Sequence, residues 1–293
     1  MELFDEQFLR RLETLHLVSK RVHAGAQKAE RRSKKVGSGL EFADHRDYAA
    51  GDDLRHLDWR VFARMEKMLV RVYEEEEDLQ IYFLLDCSQS MSVGYGGTTK
   101  WQHAARLAAA LGYVGLANLD RVSVVPFGAQ ILDRMPPTRG KNQVFKLFRF
   151  IEGLETGGVT CMGDSLRKFV HQNKRKGMAV ILSDFYDPAG YEDAINYLRY
   201  NNFEPMVMHL TDEDEVKAAL RGDLTLVDCE TGAVREITVT PKLLRRYAQV
   251  HKEFCDQLER HCKTKNVSYF RTPIQLPWDD TILQLFRAGG FLK

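Results

Sequence analysis

Asp86, Ser88 and Ser90 occupy alternate positions of one short segment. A carboxylate and two hydroxyls at that spacing offer hard oxygen ligands to a small divalent cation such as Mg²⁺. The segment closes an apolar run, Leu79-Gln80-Ile81-Tyr82-Phe83-Leu84-Leu85, which reads as a buried strand. Ligands of open α/β sheets bind outside the carboxyl ends of the strands, so the place suits the chemistry. The same residue types also cap helices and close turns, so the triplet alone reads equally well as a loop cap.

Two further segments carry groups of the same kind. Gly157-Gly158-Val159-Thr160-Cys161-Met162 is a glycine-rich loop leading into a helix, and Thr160 adds a third hydroxyl. Met178-Ala179-Val180-Ile181-Leu182-Ser183-Asp184 is a second apolar strand ending in a carboxylate. The order Asp-x-Ser-x-Ser, then Thr, then a strand-end Asp resembles the metal-ion-dependent adhesion site of von Willebrand factor A domains. The resemblance assigns Asp86, Ser88, Ser90, Thr160 and Asp184 to a metal site, with Mg²⁺ (or Mn²⁺) as the cofactor. In that pattern some carboxylates act through water, and a vacant position accepts an oxygen from outside. A carboxylate from another protein fits best there, because it brings the missing negative charge.

A second resemblance lies upstream. Tyr48, Gly51, Asp52, Asp53, Arg55, Asp58 and Trp59, followed by Ala63-Arg64, are similar to the signature of domain-of-unknown-function family 58. In that family the signature precedes a von Willebrand factor A-like domain, the order found here. The resemblance implies a MoxR-type AAA+ ATPase as partner, with the A-like domain as a non-enzymatic adaptor that presents a client. Read from the residues alone, His45, Asp52, Asp53, His56 and Asp58 could form a metal or acid/base cluster. Beside Arg46, Arg55, Arg60 and Arg64 they read instead as an ion-pair network, with Gly51 supplying a turn.

Other chemistries find less support. No P-loop is present, since Gly96-Gly97-Thr98-Thr99-Lys100 has its lysine in the wrong order. No Gly-x-Gly-x-x-Gly follows a strand, and Gly-x-Ser-x-Gly is absent. A haloacid-dehalogenase-type phosphatase would want a second Asp where Ser88 stands. A Mg²⁺-dependent hydrolase using the same ligands is the first alternative function, although no histidine lies in the metal loops. The second is nucleic-acid association through the basic run Lys28 to Lys35. That run has no interleaved aromatics for base stacking and reads as a solvated helix end.

The whole chain frames these motifs. Its 293 residues carry a net charge of +1, with 44% hydrophobic and 28% charged residues, so it is no polyelectrolyte binder. The acidic start Met1 to Gln7 lacks a secretory apolar region, and no apolar run reaches the roughly 20 residues of a membrane span. A cytoplasmic protein is expected. Five cysteines without a Cys-x-x-Cys pair suggest neither a disulfide framework nor a zinc site.

A helix is expected over Glu6 to Ala29, a strand over Met68 to Tyr73, and a solvated acidic connector over Glu74 to Asp78. Strands and helices then alternate, with an edge strand at Ile131 to Met135 and a hairpin over 224–239. The expected fold is α/β: a von Willebrand factor A-like (Rossmann-like), mainly parallel sheet with helices on both faces, plus an N-terminal helical/β extension. Residues 1–75 would form that extension and 76–293 the A-like domain with its hairpin insertion. The last helix, Asp279 to Phe286, has an apolar face of Ile282, Leu285 and Phe286, read either as static packing or as the element that moves with metal ligation.

Overall fold

The computed structural model describes residues 3–15, 32–36, 41–76, 79–94, 97–216 and 220–288. The chain divides into two compact units. One gathers Met1–Ser19 with Leu79–Phe291, and the other is built on Lys20–Asp78 with Leu292–Lys293. The first helix therefore belongs with the larger unit.

That unit is mixed α/β, with a mostly parallel central sheet and helices on both sides. Its strands are β4 (Gln80–Asp86), β5 (Arg121–Phe127), β6 (Met135–Arg139), β7 (Met178–Ser183), β8 (Glu204–Thr211) and β11 (Ser268–Pro273). Their order is β11-β8-β7-β4-β5-β6, and all neighbours pair in parallel except β5 with β6. Every residue of β4 is buried, as a strand covered on both faces requires. Its even residues Tyr82 and Leu84 join Phe169, Ile181, Ile195 and Leu258 in one core layer. That layer receives α5 (Met162–Gln172), α6 (Glu192–Tyr200) and α8 (Pro241–Thr264).

The opposite face takes α3 (Lys100–Ala117), against which α4 (Val144–Glu152) and α9 (Trp278–Arg287) pack. A Cβ on Gly112 would stand 2.7 Å from Leu147 Cδ2, so a larger residue would push α3 and α4 apart. α9 buries Ile282, Leu285 and Phe286. A helix at 6–15, α1, is capped by Asp5, whose Oδ1 accepts the Phe8 N–H at 2.7 Å. Phe8 meets Phe148 edge-on and Trp278 at a tilt, at 6.0 and 4.5 Å between ring centroids. The remainder of the helix expected to Ala29 lies outside the described residues.

One sequence expectation changes in this unit, and the expected hairpin is found. The edge strand is Met135–Arg139, and Ile131 makes only a single bridge to Phe127. Pro136 and Pro137 argue against a strand, yet at a sheet edge their missing N–H groups cost no ladder bond. The hairpin is β9 (Gly222–Val227) and β10 (Val234–Val239), a two-stranded sheet of its own. A one-turn helix, α7 (Glu213–Val216), follows β8.

The second unit holds the antiparallel sheet β1 (Arg32–Val36), β3 (Leu69–Glu76) and β2 (Glu41–Asp47), in that order, and helix α2 (Trp59–Met65). The acidic run is thus strand rather than connector through Glu76. The described part of the basic run is strand rather than helix end, and residues 28–31 lie outside the description. Register sets Arg32 opposite Glu76 and Lys34 opposite Glu74. Two runs that look like separate solvated segments in sequence are partners of one ladder.

Candidate functional site

The site lies at the carboxyl ends of β4 and β7, with the loop before α5 folded against them. Asp86 is the last residue of β4 and is fully buried. Its Oδ1 accepts the Ser88 N–H at 2.9 Å, which turns the chain sharply at the strand end. A 3₁₀ turn, Gln89–Ser92, follows, with Ser88 at its N-terminal cap position. The Ser88 hydroxyl nevertheless makes no capping bond. It faces Ser90, with 3.0 Å between the two Oγ atoms. The loop-cap reading of this serine therefore fails, and its hydroxyl is engaged by Ser90 instead.

The Thr160 loop is fastened to this turn by backbone bonds. The Gln89 N–H donates to Gly158 O at 3.0 Å, and the Gly157 N–H donates to Cys87 O at 2.8 Å. Gly158 has φ +74°, a conformation that favours glycine. Cys161 N–H donates to Gly128 O at 3.0 Å, and Asp187 Oδ2 accepts the Met162 N–H at 2.7 Å, anchoring the start of α5. Held in this way, the Thr160 hydroxyl donates to Asp86 Oδ1 at 3.3 Å.

Asp184 follows β7 and is buried. Its Oδ2 meets the Lys100 ammonium at 2.7 Å, and the same ammonium meets Glu215 Oε1 at 2.8 Å. The structure therefore brings Asp86, Ser88, Ser90 and Thr160 into direct contact, whereas Asp184 is engaged by a lysine. Ser183 supplies a contact that sequence reasoning missed: its hydroxyl donates to Asp86 Oδ2 at 2.6 Å and accepts the Phe185 N–H at 2.9 Å. Phe185 is left-handed at φ +61°, a conformation that costs an L-residue about 1–2 kcal/mol. Full burial of its ring and the Ser183 bond hold it there.

Burial pushes the Asp86 carboxyl up to about 6, and the nearby Asp184 charge adds to the push. Bonds from Ser183 and Ser88 oppose the rise. For Lys100, burial works against the charged form, but attraction to Asp184 and Glu215 outweighs it, and the pKa is raised. Burial raises the Cys87 thiol far above its ordinary range, so this loop cysteine is an inert small side chain.

This donor set suits a hard cation. Two adjacent ligands of an octahedral Mg²⁺, each about 2.0–2.1 Å from the ion, are about 3 Å apart. The Ser88–Ser90 hydroxyls, hydrogen-bonded at 3.0 Å, are already spaced as that edge requires, although an ordinary hydrogen bond gives the same distance. Among the described residues, Asp86, Asp184, Glu215 and Glu230 bring four carboxylates beside the ammonium of Lys100, so the charge balance also favours a cation. Among the described residues no group of three or more His, Cys, Asp or Glu side chains converges on one point, so a cation here would depend on the hydroxyls.

The second unit resolves the other candidate cluster. Asp52 accepts from Arg46 at 2.8 Å with both oxygens and from the Ala49 N–H at 2.8 Å. Asp53 caps the short turn Leu54–His56 and pairs with Arg55 at 2.7 Å. Asp58 caps α2 through the Arg60 and Val61 N–H groups and meets both His45 Nε2 and Arg71 Nε at 3.1 Å. The His45 bond is the chief reason the Asp58 carboxyl sits at about 2. These acids are spent on caps and arginines, the ion-pair reading of the segment.

The family model described as "Protein of unknown function DUF58" matches residues 44–255. The uncharacterized proteins Rv1480 of Mycobacterium tuberculosis and Mb1516 of Mycobacterium bovis are each 26% identical to this chain over 208 residues. The alignment takes in 69% of this chain and 65% of each relative, so the chain spans less than two thirds of their length. Among solved structures, the conserved hypothetical protein BatB from Bacteroides thetaiotaomicron superposes with a TM-score of 0.46 at 13% identity, covering 73% of this chain and 98% of that one. An aerotolerance-related membrane protein from Bacteroides fragilis NCTC 9343 gives 0.44 at 16% identity, covering 72% and 99%. Among the described residues no helix is long and apolar enough to cross a membrane. The matched span takes in both the segment Tyr48 to Arg64 and every residue of the site from Asp86 to Glu230, and the chain belongs to the DUF58 family.

Proposed function

We propose that the protein is a non-enzymatic, metal-dependent adaptor. In this reading the larger unit is a von Willebrand factor A-like domain, and Asp86, Ser88, Ser90, Thr160 and Asp184 form its adhesion site for Mg²⁺ (or Mn²⁺). The observation that carries the reading is the Ser88–Ser90 hydroxyl pair, 3.0 Å apart, together with the Thr160 hydroxyl that donates to Asp86 at the end of the central strand. When bound, the cation supplies a Lewis-acidic position for one oxygen of a partner's carboxylate. Asp86 and the hydroxyls would hold it, and Ser183 orients Asp86 from behind. Asp184 would act by its charge, since Lys100 occupies one of its oxygens.

The proposed partner is a MoxR-type AAA+ ATPase, a client protein, or both, in the cytoplasm. Family resemblance supports this, together with the absence of a P-loop, since an adaptor needs no ATP site of its own. The test uses purified wild type and Asp86→Ala, each immobilised and offered the MoxR-type ATPase of the same organism with Mg²⁺ or with EDTA. Retention by wild type with Mg²⁺ alone is expected. Equal retention by a folded Asp86→Ala protein, or in EDTA, overturns the reading. Mg²⁺-dependent turnover of phosphate esters would favour a hydrolase instead.

A further inference from the structure

The hairpin β9–β10 makes no strand pairing with the six-stranded sheet, yet its tip reaches the site. Asp228 organises that tip: its Oδ1 accepts the Glu230 N–H at 3.0 Å, the Thr231 N–H at 2.7 Å and the Thr231 hydroxyl at 2.8 Å. The turn closes with the Asp228 N–H donating to Ala233 O at 2.8 Å, and Gly232 at φ +70° completes it. These bonds fix the backbone that carries Glu230.

Glu230 points at the Thr160 loop. Its Oε2 accepts the backbone N–H of Thr160 at 3.1 Å, across 70 residues of chain. Thr160 is the residue whose hydroxyl contacts Asp86. The other oxygen, Oε1, is shielded from solvent and has no hydrogen-bond partner. A buried carboxylate oxygen without a donor is costly, and the Thr160 N–H accounts for only one of the two oxygens. A water, another hydrogen-bond donor or a cation would satisfy it, and among the described residues the surroundings hold Asp86, Asp184 and Glu215 beside the Lys100 ammonium, a charge balance that favours the cation.

We propose that Glu230 is an intrachain ligand of this metal site, its free Oε1 taking the position that an external carboxylate would use. The proposal rests on the metal-site reading above. The hairpin tip is then a self-supplied plug. A partner gains the site by offering a carboxylate of its own, and the hairpin gives way without disturbing the main sheet, to which no ladder bonds tie it. The exposed strands of the hairpin, with Leu226, Val227 and Val234 on the surface, are consistent with an element that stands apart from the core.

The test compares full-length wild type, Glu230→Gln, Glu230→Ala and Asp86→Ala, with Mn²⁺ alone as the probe. Calorimetry gives Mn²⁺ affinity, and water-proton relaxation gives the number of exchangeable waters on the bound ion. Both Glu230 variants are expected to bind Mn²⁺ more weakly by about tenfold or more, as loss of a charged ligand implies. They are also expected to gain one exchangeable water, which added acetate displaces at concentrations that leave wild type unchanged. Glutamine retains an oxygen for the Thr160 N–H, so agreement between the two variants excludes a simple loop disturbance. Equal affinity and equal water count in wild type and both variants, with binding lost in Asp86→Ala, would overturn the role of Glu230 while leaving the metal site standing. No Mn²⁺ binding by wild type would overturn both.

Discussion

The Lys100 ammonium lies 2.7 Å from Asp184 Oδ2, and each of these side chains is only 2% exposed. Lys100 is the first residue of α3, held in place by a capping box in which Thr99 accepts the Gln102 N–H and Gln102 accepts the Thr99 N–H. The helix thus delivers a cation to the end of the neighbouring strand β7. Removing one partner of such a buried pair leaves the other uncompensated. Lys100→Met is expected to lose about 3–5 kcal/mol in urea denaturation. Asp184→Asn should lose less, because Glu215 still pairs with the lysine at 2.8 Å. Equal losses for the two variants would mean that Glu215 contributes no compensation.

Metal linkage gives a second measurement. If Asp86 and the three hydroxyls hold Mg²⁺, the ion stabilises only the folded state. At about 100 times the dissociation constant the gain is about 2.7 kcal/mol and grows with concentration. Thermal unfolding of wild type should rise with Mg²⁺, whereas Asp86→Asn should show no rise. The asparagine keeps the shape of the turn, so a common rise in both proteins would point to a binding place elsewhere.

Two buried histidines set an acid limit. Burial chiefly holds His103 at about 4 and His209 at about 3, below the ordinary value of 6.5. Each has an Nε2 without a partner, and His209 Nδ1 is 2.8 Å from the Tyr269 hydroxyl. Between the folded and unfolded values only the unfolded chain takes up the proton. Stability is therefore complete above pH 6.5 and falls as the pH drops. From pH 6.5 to 4.5 each histidine contributes about 2 kcal/mol of loss. Asp86, whose folded pKa is raised to about 6, works in the opposite direction over the same range. Subtracting the profile of His209→Leu from that of wild type isolates the histidine, and the difference should slope toward instability at low pH.

In the smaller unit, Asp58 is the residue to change. It caps α2 and meets His45 and Arg71 at once. Asp58→Ala is expected to speed amide exchange at Arg60 and Val61, the two donors that it caps. Asp58→Asn should retain most of the protection, since an asparagine oxygen also caps. Catalysis or metal binding by the segment would instead appear as a functional loss in both variants without a change in exchange.

The order of strands and helices was legible from Leu79 onward, because apolar runs of strand length bounded by turn residues fix it. β4 and β7 fall within one residue of the apolar runs that announce them. The hydroxyl–carboxylate set was also legible, since Asp86, Ser88 and Ser90 lie within five residues and carry their chemistry in their types. Four groups were not. Ser183, Lys100, Glu215 and Glu230 reach the site from β7, α3, α7 and the hairpin tip, separated from Asp86 by 97, 14, 129 and 144 residues. Nothing local distinguishes a serine that ends a strand or a glutamate in a polar turn. The basic and acidic runs show the same limit: each alone reads as solvated chain, and only antiparallel pairing makes them one ladder. Sequence determined which groups a strand end could offer, because that depends on residues a few positions apart. Tertiary structure decided which charges face them, because that depends on where distant elements are brought together by burying their apolar faces on one sheet.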